Sequence, residues 1–285
     1  MINFFKGIVV GMGGITPGLS GSVLLVIFGL YQKTVDAIGS IFKHFKKNLL
    51  FLIPLVLGMG VGILGFSKVA DFFLDNYEMQ TRFFFLGLVV GTLPLFYKEV
   101  KKEGFSKKYY IHMAIAAAAG LALLFFSNNL FPAIENPNFF QSLLLGVAVA
   151  GAFIVPGVDS AVILSALGLY TLFVDSLANF DLKVLIPAGI GLACAALLIS
   201  FVMSRLLSHC YTGTFSVIFG MFISIIPSVL TKTDRPAPEV YNFGMNSATV
   251  VSVILTIVGL LLSFYLGDIK NHNEKIKKLF SSKKN

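Results

Sequence analysis

The sequence predicts an all-α polytopic membrane protein of two inverted repeats, each a re-entrant helical hairpin followed by three transmembrane helices. Three observations carry that expectation. Apolar residues make up 56% of the chain and charged ones 13%, with a mean hydropathy of +0.86, which suits lipid as the main solvent. The second half of the chain repeats the pattern of the first. The lysines and arginines gather in a few short segments beside apolar runs.

The repetition comes in three blocks. Gly7, Pro17-Gly18, Gly29-Leu30-Tyr31 and Asp36 recur as Gly146, Pro156-Gly157, Gly168-Leu169-Tyr170 and Asp175, always 139 residues later (17 to 156). Leu52-Ile53-Pro54, Gly58, Gly87 and Pro94 recur as Leu185-Ile186-Pro187, Gly191, Gly220 and Pro227, always 133 later (54 to 187). Gly120-Leu121 and Phe125 match Gly259-Leu260 and Phe264 at 139 again. Three blocks in one order mark an internal duplication, with residues 1–130 as the first repeat and 139–267 as the second. Residues 268–285 form a basic tail.

Each element follows in order. The first repeat opens on an apolar segment, 4–31, broken at Pro17-Gly18, and continues in apolar runs at 49–67, 83–97 and 109–127. The second opens on a segment broken at Pro156-Gly157, 139–170, and continues at 183–207, 213–230 and 247–266. At about 1.5 Å per residue most of the unbroken runs cross a hydrocarbon core of roughly 30 Å. The 83–97 run is short and needs flanking residues. Bent at Pro-Gly, each broken segment becomes two half-helices of about 12 residues that reach the midplane and return. The start at Met1 to Val10 reads as retained structure and not as a cleaved leader.

Charge chooses between spanning and re-entrance. Lys33, Lys43, Lys46 and Lys47 follow the first broken segment, and Lys98, Lys101, Lys102, Lys107 and Lys108 lie two helices later. Lys270, Lys275, Lys277, Lys278, Lys283 and Lys284 fill the tail. If the second broken segment spanned, the tail would land outside; with it re-entrant all three clusters share the cytoplasmic face, and the first segment is read as re-entrant in the same way. Asp71, Asp75, Glu78, Glu135, Asp175 and Asp181 then face outward. Three crossings per repeat is odd, so the repeats run in opposite senses, a plan that recurs in transporters. The net charge of +8 is read as attraction to anionic lipid headgroups, not to nucleic acid.

The Pro-Gly turns are the candidate site. Pro17 removes a donor and ends the first half-helix. Gly18 and Gly21 permit tight turning, and Thr16, Ser20 or Ser22 can cap the second half-helix. The N–H groups that start that half-helix suit an anion such as phosphate. Pro156, Gly157 and Ser160 form the equivalent turn. Asp159 stands where the first turn has Ser20, either as a helix N-cap or as a buried acid that takes a proton or cation. Arg82 and Arg205 read as interfacial anchors or as cations that meet an anionic headgroup. Gly58, Gly62, Gly87, Gly91 and the 114–120 run read as helix-packing surfaces.

Enzymes are set aside. Gly18-Leu19-Ser20-Gly21 matches the serine motif of rhomboid-like intramembrane serine proteases, but the second copy carries Asp159 in place of the serine. A nucleophilic serine also needs a base, and His44, His209 and His272 read as loop or helix-end residues, with His112 at a helix start. Cys194 and Cys210 have no metal-type spacing, and no metal, nucleotide or other cofactor motif is present.

The doubled hairpin, Pro17-Gly18-Leu19-Ser20-Gly21-Ser22 with Gly29-Leu30-Tyr31 and its copy from Pro156 to Tyr170, resembles the PopT-type polyprenyl-phosphate translocase family. The resemblance covers about residues 1–267. It implies flipping of undecaprenyl phosphate from the outer to the cytoplasmic leaflet of the bacterial plasma membrane, for recycling in cell-wall synthesis, with both termini cytoplasmic. It also implies a lipid-phosphate site at Pro17, Gly18, Ser20, Gly21, Ser22, Pro156, Gly157 and Ser160. The chain departs from the family pattern at Asp159-Ser160, usually Ser-Gly, and at Gln32 and Thr171, usually acidic. An ion-coupled secondary transporter of a small soluble anion is the alternative.

Overall fold

The computed structural model describes residues 2–14, 20–126, 131, 134, 136–158, 160–230 and 247–282. The helices are α1 (Ile2–Gly14), α2 (Gly21–Ile27), α3 (Tyr31–Gly39), α4 (Phe45–Asn76), α5 (Glu78–Val100) and α6 (Lys108–Phe126). Then come α7 (Phe139–Ile154), α8 (Ser160–Ala166), α9 (Tyr170–Ala178), α10 (Leu182–His209), α11 (Tyr211–Ser224), α12 (Ile226–Leu230) and α13 (Ser247–Ser282). Among the described residues there is no strand. Among the described residues six stretches are long and apolar enough to cross a membrane: α4, α5, α6, α10, α11 with α12, and α13. Their flanks carry large exposed apolar side chains such as Leu50, Leu64, Ile111 and Leu198, the arrangement expected of a lipid-facing surface. The molecule is an all-α polytopic membrane protein.

The 83–97 run borrows residues at both ends and becomes the 23-residue α5. Pro54, Pro94 and Pro187 sit inside unbroken helices. Pro227 instead lies in the first turn of a new helix: the chain divides at Ile225 into α11 and α12, a position where proline's missing N–H costs no intrahelical bond. α13 continues as helix through the basic segment to Ser282, beyond the expected end at 266.

The broken segments are built alike. α1 and α7 have 13 and 16 residues, about 20 and 24 Å at the usual helical rise, too short to cross roughly 30 Å of hydrocarbon. α1 packs against α2 and α7 against α8. α7 starts on a capping box: Gln141 N donates to Asn138 Oδ1 and Asn138 N to Gln141 Oε1, each at 2.9 Å.

The repeated Gly-Leu-Tyr has a local cause. Gly29 and Gly168 adopt φ of 64° and 67°, the left-handed region that glycine enters without a Cβ clash. At Gly29, Leu30 N donates to Leu25 O and Gly29 N to Val26 O; at Gly168, Leu169 N donates to Leu164 O and Gly168 N to Ser165 O. This is a Schellman cap made twice. It turns the chain by 115° between α2 and α3 and leaves Tyr31 and Tyr170 to open a further helix. Residues 32–39 and 171–178, expected as loop, are therefore helical. Lys33 lies on α3, and Lys46 and Lys47 in the first turn of α4. Asp71 and Asp75 belong to the long end of α4, and α4 and α5 meet at Tyr77 alone.

Small residues fix the pairs. A Cβ on Gly7 would strike Leu55 O and one on Gly58 would strike Phe4 O. The counterparts do the same: Gly146 lies on Ala188 O and Gly191 on Leu143 O. α1 thus lies on α4 as α7 lies on α10. Gly62, Gly87, Gly91 and Gly120 likewise meet Ile8 O, Thr256 O, Ser263 Cβ and Ser224 Oγ, the packing role expected of them. The later helices exchange partners: α5 packs chiefly on α13, and α6 on α11.

Candidate functional site

The first hairpin and the tip of the second meet at an aromatic core, while the rest of the second hairpin packs in a core of its own with α10. Phe96 of α5 meets Phe215, Phe219 and Phe222 of α11 with ring centroids 6.0, 5.7 and 5.5 Å apart. Val23, Leu24, Leu25, Val26 and Ile27 of α2 are all buried in the same cluster. Tyr31, 2% exposed, packs edge-on to Phe215 at 6.3 Å. Its hydroxyl donates to Ile154 O at 3.0 Å. Ile154 is the last residue of α7, where carbonyls run out of intrahelical donors. The foot of the first hairpin therefore holds the tip of the second.

At the first turn, Ser20 is extended (φ −67°, ψ 134°) in the N-cap position of α2, and its side chain makes no capping bond. Instead Ser20 Oγ and Ser22 Oγ are hydrogen-bonded to each other at 2.6 Å. Ser22 is buried and Ser20 half-buried. Gly21 does not face open space. A Cβ there would lie 2.9 Å from Val10 O, so this glycine joins α2 to α1. Thr16, Pro17 and Gly18 lie outside the described residues.

At the second turn, Pro156 and Gly157 are buried. Gly157 takes φ +83°, and a Cβ would be 2.7 Å from Phe222 N, so only glycine seats this tip against α11. Ser160 begins α8, and Asp159 lies outside the described residues. Beside the tip is a narrow cleft of about 30 Å³ between α6, α8 and α11–α12. Gly120, Leu123, Gly157, Val162, Ser224 and Ser228 help to line it. The two serines donate to carbonyls of their own helices, Ser224 to Met221 O at 2.6 Å and Ser228 to Ile225 O at 2.7 Å.

The two candidate arginines stand apart. Arg82 is 7% exposed; its Nε donates to Glu78 Oε1 at 3.1 Å and its Nη1 to Val229 O at 3.5 Å. It ties the start of α5 to the end of α12. Arg205 is exposed, with its guanidinium 5.4 Å from the Phe201 ring centroid. α10 leads directly into the start of α11, so Arg205 and Arg82 lie near opposite ends of the 20-residue span Tyr211–Leu230, about 30 Å apart along it.

Among the described residues nothing resembles a hydrolytic centre. His44, His112 and His209 are exposed, and Ser20 bonds to a second serine. Among the described residues no group of three His, Cys, Asp or Glu is placed to hold a metal ion. Sequence reasoning singled out Tyr31 only as part of a repeated motif. Its contact with Ile154 joins residues 123 apart, and no local pattern signals that.

Comparison with known proteins places the sequence in one family. The undecaprenyl phosphate translocase-like family matches over residues 1–107 and 40–246. A polyprenyl-phosphate transporter of Staphylococcus aureus is 27% identical over 286 residues, covering 96% of this chain and 98% of that one. A polyprenyl-phosphate transporter of Vibrio cholerae is 23% identical over 261 residues, covering 86% of this chain and 80% of that one. No solved structure gives a significant match. These relatives are transporters, not enzymes. With matches that span most of its length, the chain belongs to the undecaprenyl phosphate translocase-like family.

Proposed function

We propose that this protein flips a polyprenyl phosphate, undecaprenyl phosphate in a bacterial plasma membrane, from the outer to the cytoplasmic leaflet, returning the carrier to cell-wall synthesis. The observation that carries the reading is the pair of Pro-Gly-broken hairpins, both too short to span, that meet across one core through Tyr31 and Ile154. Irregular backbone at membrane depth persists where it lines a cavity or a site. The phosphate is held at the two turns, by Thr16, Pro17, Gly18, Ser20, Gly21 and Ser22 on one side and Pro156, Gly157 and Ser160 on the other. Backbone N–H groups and hydroxyls are the donors there.

The choice of a lipid over a soluble anion rests on the relatives, which are named polyprenyl-phosphate transporters. The cleft at the second tip, about 30 Å³, has the room of about one water molecule, and the prenyl chain stays in the bilayer. Asp159 is the group assigned to the coupling proton or cation. The alternative role, an N-cap like the position its counterpart Ser20 occupies, is separated from coupling by the Asp159→Asn variant. The lysine clusters and Arg205 lie at the level of anionic headgroups, with both termini cytoplasmic and the repeats inverted.

The test uses purified protein in liposomes loaded with undecaprenyl phosphate. An impermeant phosphatase reads how much phosphate remains in the outer leaflet. Protein-containing vesicles should equilibrate the leaflets within minutes, while protein-free vesicles stay asymmetric. Equal behaviour of the two would refute the reading. Uptake of inorganic phosphate without lipid movement would replace it with the soluble-anion carrier.

A further inference from the structure

Two segments that are duplicates in sequence are packed differently. α3 lies along α10: a Cβ on Gly39 would sit 2.8 Å from Phe201 N, and Ser204 Oγ donates to Asp36 Oδ1. The counterpart α9 makes no comparable contact with α4 among the described residues. The contrast extends to single atoms. Ser200 is 0% exposed, and its hydroxyl has no hydrogen-bond partner among the described residues. Ser67, its counterpart (67 to 200), is half-buried and donates to Leu64 O at 3.2 Å. Asp36 is half-buried while Asp175 is exposed.

The two seams occupy equivalent places in the duplication; Asp36 and Ser200 recur as Asp175 and Ser67, while Ser204 and Gly39 have Asp71 and Ala178 as counterparts. One of these is shut and the other is not. The shut seam also traps a hydroxyl that water would satisfy if the seam parted, which lowers the cost of opening it. We propose that the α3–α10 seam is a gate in its closed state, and that α9 and α4 form the same gate in its open state. The inference rests on the transport reading and on inverted repeats, which place the two gates on opposite faces. Closing one while the other opens gives alternating access to the hairpin turns. The closed gate lies at the end of α10 that carries Arg205, the end that the lysine pattern assigns to the cytoplasm. The structure then faces outward, toward the leaflet from which the lipid is collected.

Disulfide trapping tests the gate. In a chain carrying Cys194→Ser and Cys210→Ser, Asp36→Cys and Ser204→Cys can be oxidised across the seam. Lipid flux should fall at least tenfold on oxidation and recover on reduction. Undiminished flux through fully crosslinked protein would overturn the gate. A second measurement does not depend on the cargo: spin labels at Lys33→Cys and Ser208→Cys, read as a distance distribution in liposomes. The gate requires two populations, one short and one long. A single short distance with and without polyprenyl phosphate would overturn it. Two distances in a protein that moves no polyprenyl phosphate would uphold the gate and reject the cargo.

Discussion

Tyr31 joins the halves through one hydroxyl. Tyr31→Phe keeps the ring on Phe215 but leaves Ile154 O without its donor, in a core that excludes water. A buried acceptor left unsatisfied costs about 1–3 kcal/mol. The variant should unfold earlier in a thermal scan in detergent and show slower lipid flux, whereas Tyr265→Phe, on an exposed face of α13, should match the parent in both. Asp159 calls for a different readout. As a titrating acid, its replacement in Asp159→Asn removes the charge change and keeps the shape, so flux should lose its pH dependence while lipid binding survives. An unchanged pH profile at the parental rate would take Asp159 out of the mechanism. Of the turn residues read from sequence, Gly21 changes meaning most. In sequence it reads as freedom for a tight turn, and in the structure the space its missing side chain leaves is filled by the backbone of α1. Leucine there would damage the hairpin itself, so Ser20→Ala is the cleaner probe of the site, with a partial loss of flux expected.

Helix pairs sort the glycines into two kinds. Gly58 and Gly191 lie on the carbonyls of α1 and α7, while a Cβ at Gly60, Gly65 or Gly189 would touch nothing within 4 Å. Gly58→Leu and Gly191→Leu must push a helix pair apart, an overpacking that costs about 3 kcal/mol or more, and should leave little monodisperse protein on a sizing column. Gly60→Leu and Gly189→Leu should be harmless, or slightly stabilising through helix propensity. The spans, the broken hairpins and the packing glycines were legible in the sequence because each leaves a local mark: a long apolar run, a Pro-Gly pair, a small-residue spacing. α3 and α9 were not. At nine residues each, with Lys33 and Asp36 on α3, they are too short and too polar to read as membrane helices. Their helicity follows from the Schellman caps before them. What Asp36 and Ser200 touch depends on how the halves dock, and that is written in no single segment.

At the scale of the whole molecule the halves are interlocked. α5 takes its main partner, α13, from the far end of the chain, and α6 leaves its sequence neighbour for α11. α3 lies on α10 and Tyr31 reaches Ile154. Residues 1–130 and 131–285 expressed separately should each be degraded, and together they should assemble into a complex that copurifies through a tag on either part. Stable, monodisperse protein from the first part alone would contradict this packing.

The exchange of partners between α5, α6, α11 and α13 also sets a timetable for synthesis. α5 leaves the ribosome well before α13 exists, with Gly87 and Gly91 still waiting for the backbone that will cover them. Until the last helix arrives, that small-residue face stays open to lipid or to whatever insertion factor shields it. Chains arrested before residue 247 should therefore remain protease-sensitive at α5 and bind such a factor, and release of the full chain should end both at once. For this protein the membrane-inserted but unassembled state is a stage that every copy must survive.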